Sequence, residues 1–448
     1  MTDSAPESLS ASPPESEAVL TRRAALRWGT AGLCAGGAGI GLLAYFTPSG
    51  REAIKGVTGT TSVVHKPKKA RPQLQDWPSL DDMADNMIRR KMTPGMSVSV
   101  AHNGTLLYSK GFGTASFATQ APVTSQSGFR IGSITKQFTA AAILLMAERG
   151  ALNIDDKLSK FMPNFPRADE ITLRQMLSHT AGLSDYLNGQ SQDVLVEAQD
   201  RDYSAADLVR IIEARKPLYR RPPGTGWLYS NSGFTLLSIV VEQLSGIPFG
   251  DFCQWHLFKP AGMEDSGIDP AQAVVPDRCD GYRPDFRAPN EFDPIKPISP
   301  SFGLGAGGIR STTEDLCAWH AALLGGKILK PESVRTMFTP IRLNNGQPAL
   351  EHSGPEQMAY ACGVGVGLMG DRMYISHGGR VNGFTGHLRS FPSDKLTLSI
   401  QYNSDGSGAG GFMPAQRGLR WEATRLAYNA IGVKVDPREP ADGEVGEG

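Results

Sequence analysis

The sequence lacks an excess of charge of either sign. Its 448 residues include 45 basic and 45 acidic ones, so the formal net charge is zero. A protein that binds nucleic acid through its surface charge carries a clear basic excess or a basic stripe. We therefore expect no nucleic acid among the partners of this chain.

Cysteine and metal-binding patterns are also scarce. Five cysteines in 448 residues are too few for a disulfide scaffold. Cys34 lies in an apolar run. The spacing of the other four cysteines matches no metal-ligand pattern: Cys253, Cys279, Cys317 and Cys362. Four cysteines allow three disulfide pairings, and the choice among them remains open. We expect neither a metal nor a cofactor. The sequence also lacks Gly-x-Ser-x-Gly and His-Glu-x-x-His, which disfavours an α/β-hydrolase or a zinc protease.

The composition is otherwise that of an ordinary globular protein. Hydrophobic residues make up 40% and charged residues 20% of the chain, enough to bury a core. We expect the globular domain to span residues 77–435. Residues 47–76, which show no apolar period, are expected to form a linker, and the acidic residues 436–448 a disordered tail.

The N-terminal segment, residues 1–46, has two possible interpretations. Arg22 and Arg23 precede an uncharged run at 28–46 that contains six glycines. Paired arginines before such a run are typical of a twin-arginine export signal. The 19 residues of the run are also long enough to anchor the chain in a membrane. We expect an exported protein, either periplasmic or anchored through residues 28–46 and facing the periplasm.

The pattern of elements predicts an α+β fold. Asn103-Gly104 lies between two apolar runs and predicts a hairpin. A long helix is expected from Ser133 to Arg149, with Gly150 as its end. Five further helices are predicted at 172–178, 204–215, 231–245, 313–324 and 415–430. Late strands are predicted at 361–368, 372–376, 384–391 and 396–402. This order of strands and helices predicts one sheet that includes strands from both ends of the chain, with a helical lobe beside it.

A serine and a lysine one helical turn apart are the first candidate chemical group. Ser133 and Lys136 are three residues apart, so on a helix both lie on one face. The apolar helix that follows predicts that this turn is buried. Burial lowers the pKa of a lysine toward the range of a general base, and a serine hydroxyl needs such a base to become a nucleophile. The alternative is an N-capping serine beside a surface lysine.

Two further motifs supply polar groups that suit the same reaction. Tyr229-Ser230-Asn231 precedes a predicted helix, and its hydroxyl and amide can move a proton and hold a carbonyl group. A second Tyr-x-Asn begins at Tyr186. The sequence Ser376-His377-Gly378-Gly379 is expected to end one strand and to lead to the next, where His377 would add a donor. A rival histidine, His352, has no strand as clear beside it.

In order and spacing the three motifs resemble those of the serine β-lactamase and penicillin-binding-protein superfamily, class C type: Ser133-x-x-Lys136, Tyr229-x-Asn231 and His377-x-Gly379. Residues 129–132, 177–183 and 305–308 resemble it as well. The resemblance covers roughly residues 80–432. It implies a mixed, mainly antiparallel sheet flanked by helices, with an all-helical lobe and the site between them.

The resemblance also implies an acyl-serine mechanism. Ser133 would attack a carbonyl, with Lys136 and Tyr229 sharing the base and acid roles. Backbone N–H groups of Ser133 and Arg380 would hold the oxyanion. The substrate-binding residues would be Asn231, His377, Gly379 and Arg380.

One position departs from the class C pattern. Class C β-lactamases carry lysine where this chain has His377, and histidine there is similar to D-alanyl-D-alanine peptidases and related esterases. We therefore expect a serine hydrolase acting on a small molecule or a peptidoglycan peptide, with peptidase or esterase activity before efficient β-lactamase activity. The alternative is a non-catalytic, membrane-tethered binding or regulatory module on the same fold.

Overall fold

The computed structural model describes residues 73–188, 192–269, 275–285, 287–288, 291–351, 358–406 and 412–434. The chain divides into two units, 1–67 and 68–448, and every described residue belongs to the second. The expected export segment and C-terminal tail, most of the expected linker and the rival His352 lie outside the described residues.

The strands of the described chain are, in order, β1 Gly95–His102, β2 Thr105–Ser116, β3 Ala121–Pro122, β4 Phe129–Arg130, β5 Gly267–Ile268, β6 Tyr282–Pro284, β7 Phe292–Pro294, β8 Ile309–Ser311, β9 Leu350–Glu351, β10 Met358–Tyr360, β11 Gly365–Met369, β12 Arg372–Val381, β13 Phe384–Phe391 and β14 Leu396–Tyr402.

The helices are α1 Pro78–Arg89, α2 Thr135–Glu148, α3 Leu173–Leu177, α4 Gln192–Asp200, α5 Ala205–Glu213, α6 Asn231–Ser245, α7 Phe249–Cys253, α8 Lys259–Ala261, α9 Pro300–Gly307, α10 Thr313–Leu324, α11 Pro331–Phe338 and α12 Phe412–Ala430. Short 3₁₀ turns cover Gly132–Ile134 and Leu158–Lys160, and a π-helical turn covers Gln254–Phe258.

One large sheet joins the two ends of the described chain. Its nine strands lie in the order β3-β2-β1-β14-β13-β12-β11-β10-β9, and the neighbouring strands pair antiparallel. The pairing of β1 with β14 confirms the predicted sheet built from both ends. Between β4 and β8 the described chain is mainly helical, as predicted, with the short strands β5, β6 and β7 added.

The predicted hairpin is confirmed, whereas one strand was predicted too short. Asn103 and Gly104 have φ of 49° and 78°, the positive values that a tight hairpin turn requires. Strand β12 continues to Val381 instead of ending near residue 376, because it stays paired with β13 throughout. The motif His377-Gly378-Gly379 therefore lies within a strand, and not at its end.

The two faces of β1 have different partners. Met96, Val98 and Val100 belong to an apolar core cluster with residues of α1 and α12. Ser97 and Ser99 on the opposite face contact the hydroxyl of Thr313 on α10, at 2.9 and 2.7 Å. Because side chains alternate along a strand, helices cover both faces of this part of the sheet.

Helix α10 spans the residues 313–324 that the sequence predicted for it, although its N-cap differs from the one that the capping pattern suggests. The run Ser311-Thr312-Thr313-Glu314 has the spacing of a capping box with Ser311 as the N-cap. In the structure Thr312 is the N-cap and accepts from the backbone N–H of Asp315. Ser311 instead ends β8 and contacts Ser266 through its hydroxyl.

Helix α2 lies in the centre of the domain. Every residue from Thr135 to Met146 is buried, the pattern of a helix surrounded by protein on all sides. Gly150 follows with φ of 74°, and its N–H donates to the carbonyl of Ala147, which confirms the predicted end of the helix. The site described below lies at the other end of α2.

Two findings concern properties that the sequence had left open. Cys253, Cys279, Cys317 and Cys362 are buried and free of disulfide bonds. Among the described helices, none alone is long and apolar enough to span a membrane. One pair, Asn231–Ser245 with Phe249–Ala261, meets the length and composition criteria only together and is bent by 79°.

Candidate active site

Ser133 lies in a 3₁₀ turn that leads directly into α2, so α2 itself begins two residues after Ser133. Gly132 has φ of 51°, and a Cβ on it would lie 2.8 Å from the backbone nitrogen of Arg380. Only glycine allows this conformation and this approach. The glycine thus places the turn that holds Ser133 against the backbone of β12.

Lys136 is fully buried beneath the serine. Its Nζ lies 3.0 Å from Ser133 Oγ, 2.7 Å from Asn231 Oδ1 and 2.8 Å from the carbonyl oxygen of Ala306. Burial lowers the pKa of Lys136 to about 7, and the negative charge of Asp185 opposes that change. Near neutral pH a large fraction of this amine is therefore uncharged.

The partners of Lys136 determine where its lone pair points. A neutral amine has two N–H donors and one lone pair. Asn231 Oδ1 and the carbonyl oxygen of Ala306 can only accept hydrogen bonds, so each takes one N–H. The lone pair is then directed at Ser133 Oγ, which can donate its proton to it. This is the arrangement that an activated serine nucleophile requires.

Tyr229 contacts the same hydroxyl from the other side. Its Oη lies 2.5 Å from Ser133 Oγ, and burial raises the pKa of Tyr229 above its usual value. The phenol therefore remains protonated at neutral pH. When Ser133 donates to Lys136, Tyr229 is left to donate to Ser133 Oγ.

His179 holds the segment that carries Tyr229. Its Nδ1 accepts from the backbone N–H of Ser230 at 3.1 Å, and its ring centroid lies 4.4 Å from that of Tyr229. Burial lowers the pKa of His179 well below its usual value, so the ring is neutral. The rival Tyr186 is placed elsewhere: its hydroxyl donates to the carbonyl of Phe302 and contacts Thr235.

Asn231 lies at the first turn of α6 and is buried. Its Oδ1 accepts from Lys136 and its Nδ2 donates to Asp185 Oδ2 at 2.8 Å. Both ends of the amide thus contact protein groups. The sequence predicted that this amide would hold a substrate carbonyl; its contact with substrate stays a prediction.

The geometry does not support His377 as a donor to substrate. Its Nδ1 lies 2.5 Å from the carbonyl oxygen of Gly378 and its Nε2 lies 2.8 Å from Tyr360 Oη. Because a carbonyl oxygen only accepts, Nδ1 carries the proton and Nε2 accepts from Tyr360. Burial lowers the pKa of His377 to about 4, so its ring is uncharged at neutral pH.

Gly379 allows the close contact between β12 and Ile131, which lies between β4 and the turn that holds Ser133. A Cβ at this position would lie 1.9 Å from the carbonyl oxygen of Ile131, a separation that no side chain permits. The absence of a side chain brings the backbone of Arg380 beside Gly132, one residue from Ser133. The predicted oxyanion donors, the N–H groups of Ser133 and Arg380, therefore belong to neighbouring stretches of backbone.

A cavity of about 1130 Å³ opens at this point. The predicted site residues that line it are Ser133, Tyr229, Asn231, His377, Gly379 and Arg380. Lys136 lies behind its wall. No group of three or more histidine, cysteine, aspartate or glutamate side chains within the described ranges could hold a metal ion.

Sequence reasoning missed several residues of this site. Asp185 contacts the amide of Asn231, and the carbonyl of Ala306 contacts the amine of Lys136. Tyr360 contacts His377. Ala306 and His179 lie within the stretches that resembled the superfamily, which is the signal that pointed to them. Nothing in the spacing indicated that Asp185 would face Asn231, which is 46 residues later.

Comparisons with known proteins identify the family of this chain. A family model described as beta-lactamase matches residues 83–419. The chain belongs to the beta-lactamase family. Within the family, a penicillin-binding protein of Bacillus subtilis is 32% identical over 56% of this chain and 57% of its own length. A D-aminopeptidase of Gluconobacter oxydans is 27% identical over 69% of this chain and 56% of its own length.

The chain thus spans little more than half the length of these relatives. Among solved structures, D-amino acid amidase from Ochrobactrum anthropi is similar in fold, with a TM-score of 0.67 and 21% identity. That match covers 79% of this chain and 99% of the amidase. The predicted α+β fold, with a large antiparallel sheet and flanking helices, is confirmed.

Proposed function

We propose that this chain is a serine hydrolase that cleaves amides or esters through an acyl-serine intermediate. The observation that carries the proposal is the set of three contacts of Lys136 Nζ. Two acceptors take its N–H groups, and the third contact is the hydroxyl of Ser133. An amine with a pKa of about 7 is a suitable general base near neutral pH.

In the acylation step Lys136 removes the proton of Ser133 as Oγ attacks the substrate carbonyl carbon. The N–H groups of Ser133 and Arg380 stabilise the oxyanion, and one such donor typically contributes ~2.7–4 kcal/mol. Tyr229 donates its proton to the leaving nitrogen or oxygen as the bond to carbon breaks. The resulting ammonium of Lys136 returns a proton to Tyr229.

Deacylation repeats these roles with water. A water molecule attacks the acyl carbon, and the neutral amine of Lys136 accepts its proton through Tyr229. Lys136 returns that proton to Ser133 Oγ, which leaves as the free hydroxyl, and the carboxylic acid departs. This step completes a hydrolase cycle without any group beyond those of the site.

The neutral His377 supports the expected order of substrates. Efficient β-lactamases must bind the carboxylate of a lactam, and a neutral ring gives less attraction than the fixed charge of a lysine. The relatives named D-aminopeptidase and D-amino acid amidase support an amide substrate. We propose amide or ester substrates, including peptidoglycan peptides, before lactams.

We also propose that the chain is exported, as a periplasmic or membrane-anchored protein. The support is the pair Arg22-Arg23 before the apolar run at 28–46. Replacing both arginines by lysine should keep the protein in the cytoplasm. Fractionation of cells that express the two forms measures this, and equal export of both forms would contradict the twin-arginine route.

A fluorescent fluorophosphonate probe tests the proposed chemistry. The wild-type protein should be labelled, and Ser133→Ala should abolish the label because the nucleophile is gone. Ser204→Ala, a change at the N-cap of α5, is the matched control and should be labelled like wild type.

Two results would overturn the proposal. Labelling that persists in Ser133→Ala would place the nucleophile elsewhere. A folded wild-type protein that neither this probe nor a fluorescent penicillin labels would favour the non-catalytic binding or regulatory module.

A further inference from the structure

Asp185 lies beside the site and makes four hydrogen bonds. Its Oδ1 accepts from the backbone N–H groups of Leu187 and Asn188, at 2.8 and 3.2 Å. Its Oδ2 accepts from the side-chain amides of Asn188 and Asn231, at 2.6 and 2.8 Å. The carboxylate therefore receives donors on both of its oxygens.

These contacts determine the orientation of the amide of Asn231. A carboxylate can only accept hydrogen bonds, so the side of the amide that faces Asp185 has to be its NH₂ group. The amide oxygen then faces Lys136 Nζ, at 2.7 Å. Within the described ranges Nδ2 contacts Asp185, and without that contact no described partner of Nδ2 would distinguish this orientation from the reversed one.

The reversed amide would disable the base. Its NH₂ group would donate to the lone pair of Lys136, and that lone pair would no longer be available to Ser133 Oγ. The amine would keep its place and its burial, yet it could not accept the proton of the serine. The orientation of the Asn231 amide thus determines whether Lys136 can accept the proton of Ser133.

We propose that Asp185 is a positioning residue, which sets the amide of Asn231 and through it directs the lone pair of Lys136 at Ser133. This inference rests on the proposed hydrolase function. Asp185 acts through Asn231 and needs no contact with the substrate.

The charge of Asp185 has a second, separable effect. Among the described residues, the charged and titratable groups that interact with Lys136 are Asp185, Tyr229, His179 and His377. Burial keeps the two histidines neutral and Tyr229 protonated at neutral pH. Asp185 is thus the group whose charge raises the pKa of Lys136.

Asp185→Asn tests the positioning role with little change of shape. An amide has one oxygen and one NH₂ group, so it cannot accept on both sides as the carboxylate does. We expect the amide of Asn231 to reverse in a large share of molecules. The rate of fluorophosphonate labelling should fall by about 10- to 100-fold, a part of the ~10²–10⁴ that a positioned base contributes.

The comparison is made at about pH 9, where an amine with a pKa near 7 is neutral in every variant. At this pH the labelling rate no longer depends on how the charge of Asp185 changes the pKa of Lys136. In a separate pH series the labelling midpoint of Asp185→Asn should move to lower pH, because the charge that raised the pKa of Lys136 is gone.

A double-mutant cycle shows whether Asp185 acts through Asn231. Asn231→Ala removes the amide, so adding Asp185→Asn to it should cause no further loss of rate at high pH. If the role of Asp185 were purely structural, Asp185→Asn would lower the labelling rate by the same factor in the wild-type protein and in Asn231→Ala. Asp185→Ala serves as a second variant, and thermal melting establishes that each protein is folded.

The control is Asp155→Asn, since Asp155 is an exposed partner of Arg174 in the same lobe. It should be labelled at the wild-type rate. Wild-type labelling by Asp185→Asn and Asp185→Ala, or an equal loss in both backgrounds, would overturn the inference while the proposed function stands. Absence of label in the wild type would instead overturn the proposed function.

Discussion

Among the described residues, the hydroxyls of two serines lie within hydrogen-bonding distance of a buried nitrogen base. Ser133 Oγ lies 3.0 Å from the amine of Lys136, and Ser390 Oγ lies 2.6 Å from Nδ1 of His320. The bases come from neighbouring parts of the core, because His320 Nε2 also contacts Gln137, the residue after Lys136. By distance alone, Ser390 would be a better candidate nucleophile than Ser133.

Two properties distinguish the pairs. Burial lowers the pKa of Lys136 to about 7 and that of His320 to about 3, so only the amine is basic enough to take a proton near neutral pH. Ser133 lines the large cavity, whereas Ser390 and His320 are fully buried and not among its lining residues. A hydroxyl–base contact therefore indicates catalysis only when the base can titrate and the hydroxyl can reach a substrate.

Removing the first base should have the largest effect. Lys136→Ala should slow labelling by ~10²–10⁴-fold, because a positioned general base contributes that much. Its melting temperature at neutral pH should stay close to that of wild type, since the lost contacts are those of an amine that is costly to bury. Labelling kinetics and thermal melting measure the two quantities. Extensive unfolding would make Lys136 a structural residue.

Removing the hydroxyl of Tyr229 should have the next largest effect. Tyr229→Phe keeps the ring against His179 and removes the donor to Ser133 and to the leaving group. We expect turnover of an amide to fall by about 10²-fold. An aryl ester should lose less, because its leaving group needs no proton. Steady-state kinetics with the two substrates measure the difference, and equal losses would contradict the proton-donor role.

The second pair should respond in stability and not in chemistry. His320→Ala removes the buried partner of Ser390 Oγ and of Gln137 Oε1, and a buried polar group that loses its partner costs about 1–3 kcal/mol of unfolding free energy. The fraction that remains folded should be labelled at the wild-type rate. Denaturant unfolding and labelling measure both. A loss of label in folded His320→Ala would show that the two clusters are coupled.

Histidine burial also predicts an acid limit to stability. Burial lowers the pKa of His320 to about 3 and that of His377 to about 4, below the ~6.5 of an unfolded chain. Their contribution is therefore complete above about pH 6.5 and is lost as the pH falls toward 3. The melting temperature of wild type should drop over this range, and that of His320→Ala should drop less.

The smallest effect should come from His377→Lys. A lysine would add charge to a neutral wall and attract the carboxylate of a lactam by about 1 kcal/mol, or roughly fivefold in affinity. The ratio of lactam to ester turnover should rise accordingly. An unchanged ratio in kinetics with nitrocefin and a p-nitrophenyl ester would remove position 377 from the determinants of specificity.

Local geometry explains which parts of the site could be predicted. Ser133 and Lys136 are three residues apart, so helical periodicity alone places them on one face. The hairpin at Asn103-Gly104 follows in the same way from the backbone freedom of two residues. Such features need no knowledge of the rest of the fold.

Contacts between distant segments could not be predicted in this way. His377 is engaged by Tyr360, from two strands earlier in the chain, and Asn231 is oriented by Asp185 from a loop. The extra length of β12 depends on its pairing with β13, which outweighs the low strand propensity of Gly378 and Gly379. In each case the decisive partner is determined by the fold, and not by neighbouring sequence.

The most direct test of the central claim is the pH dependence of fluorophosphonate labelling of the wild-type protein. If neutral Lys136 is the base, the rate should rise with pH to a plateau, with a midpoint near 7, and Lys136→Ala should lose this rise. A rise whose midpoint lies near 10, the usual value for a lysine, or one that survives in Lys136→Ala, would contradict the account.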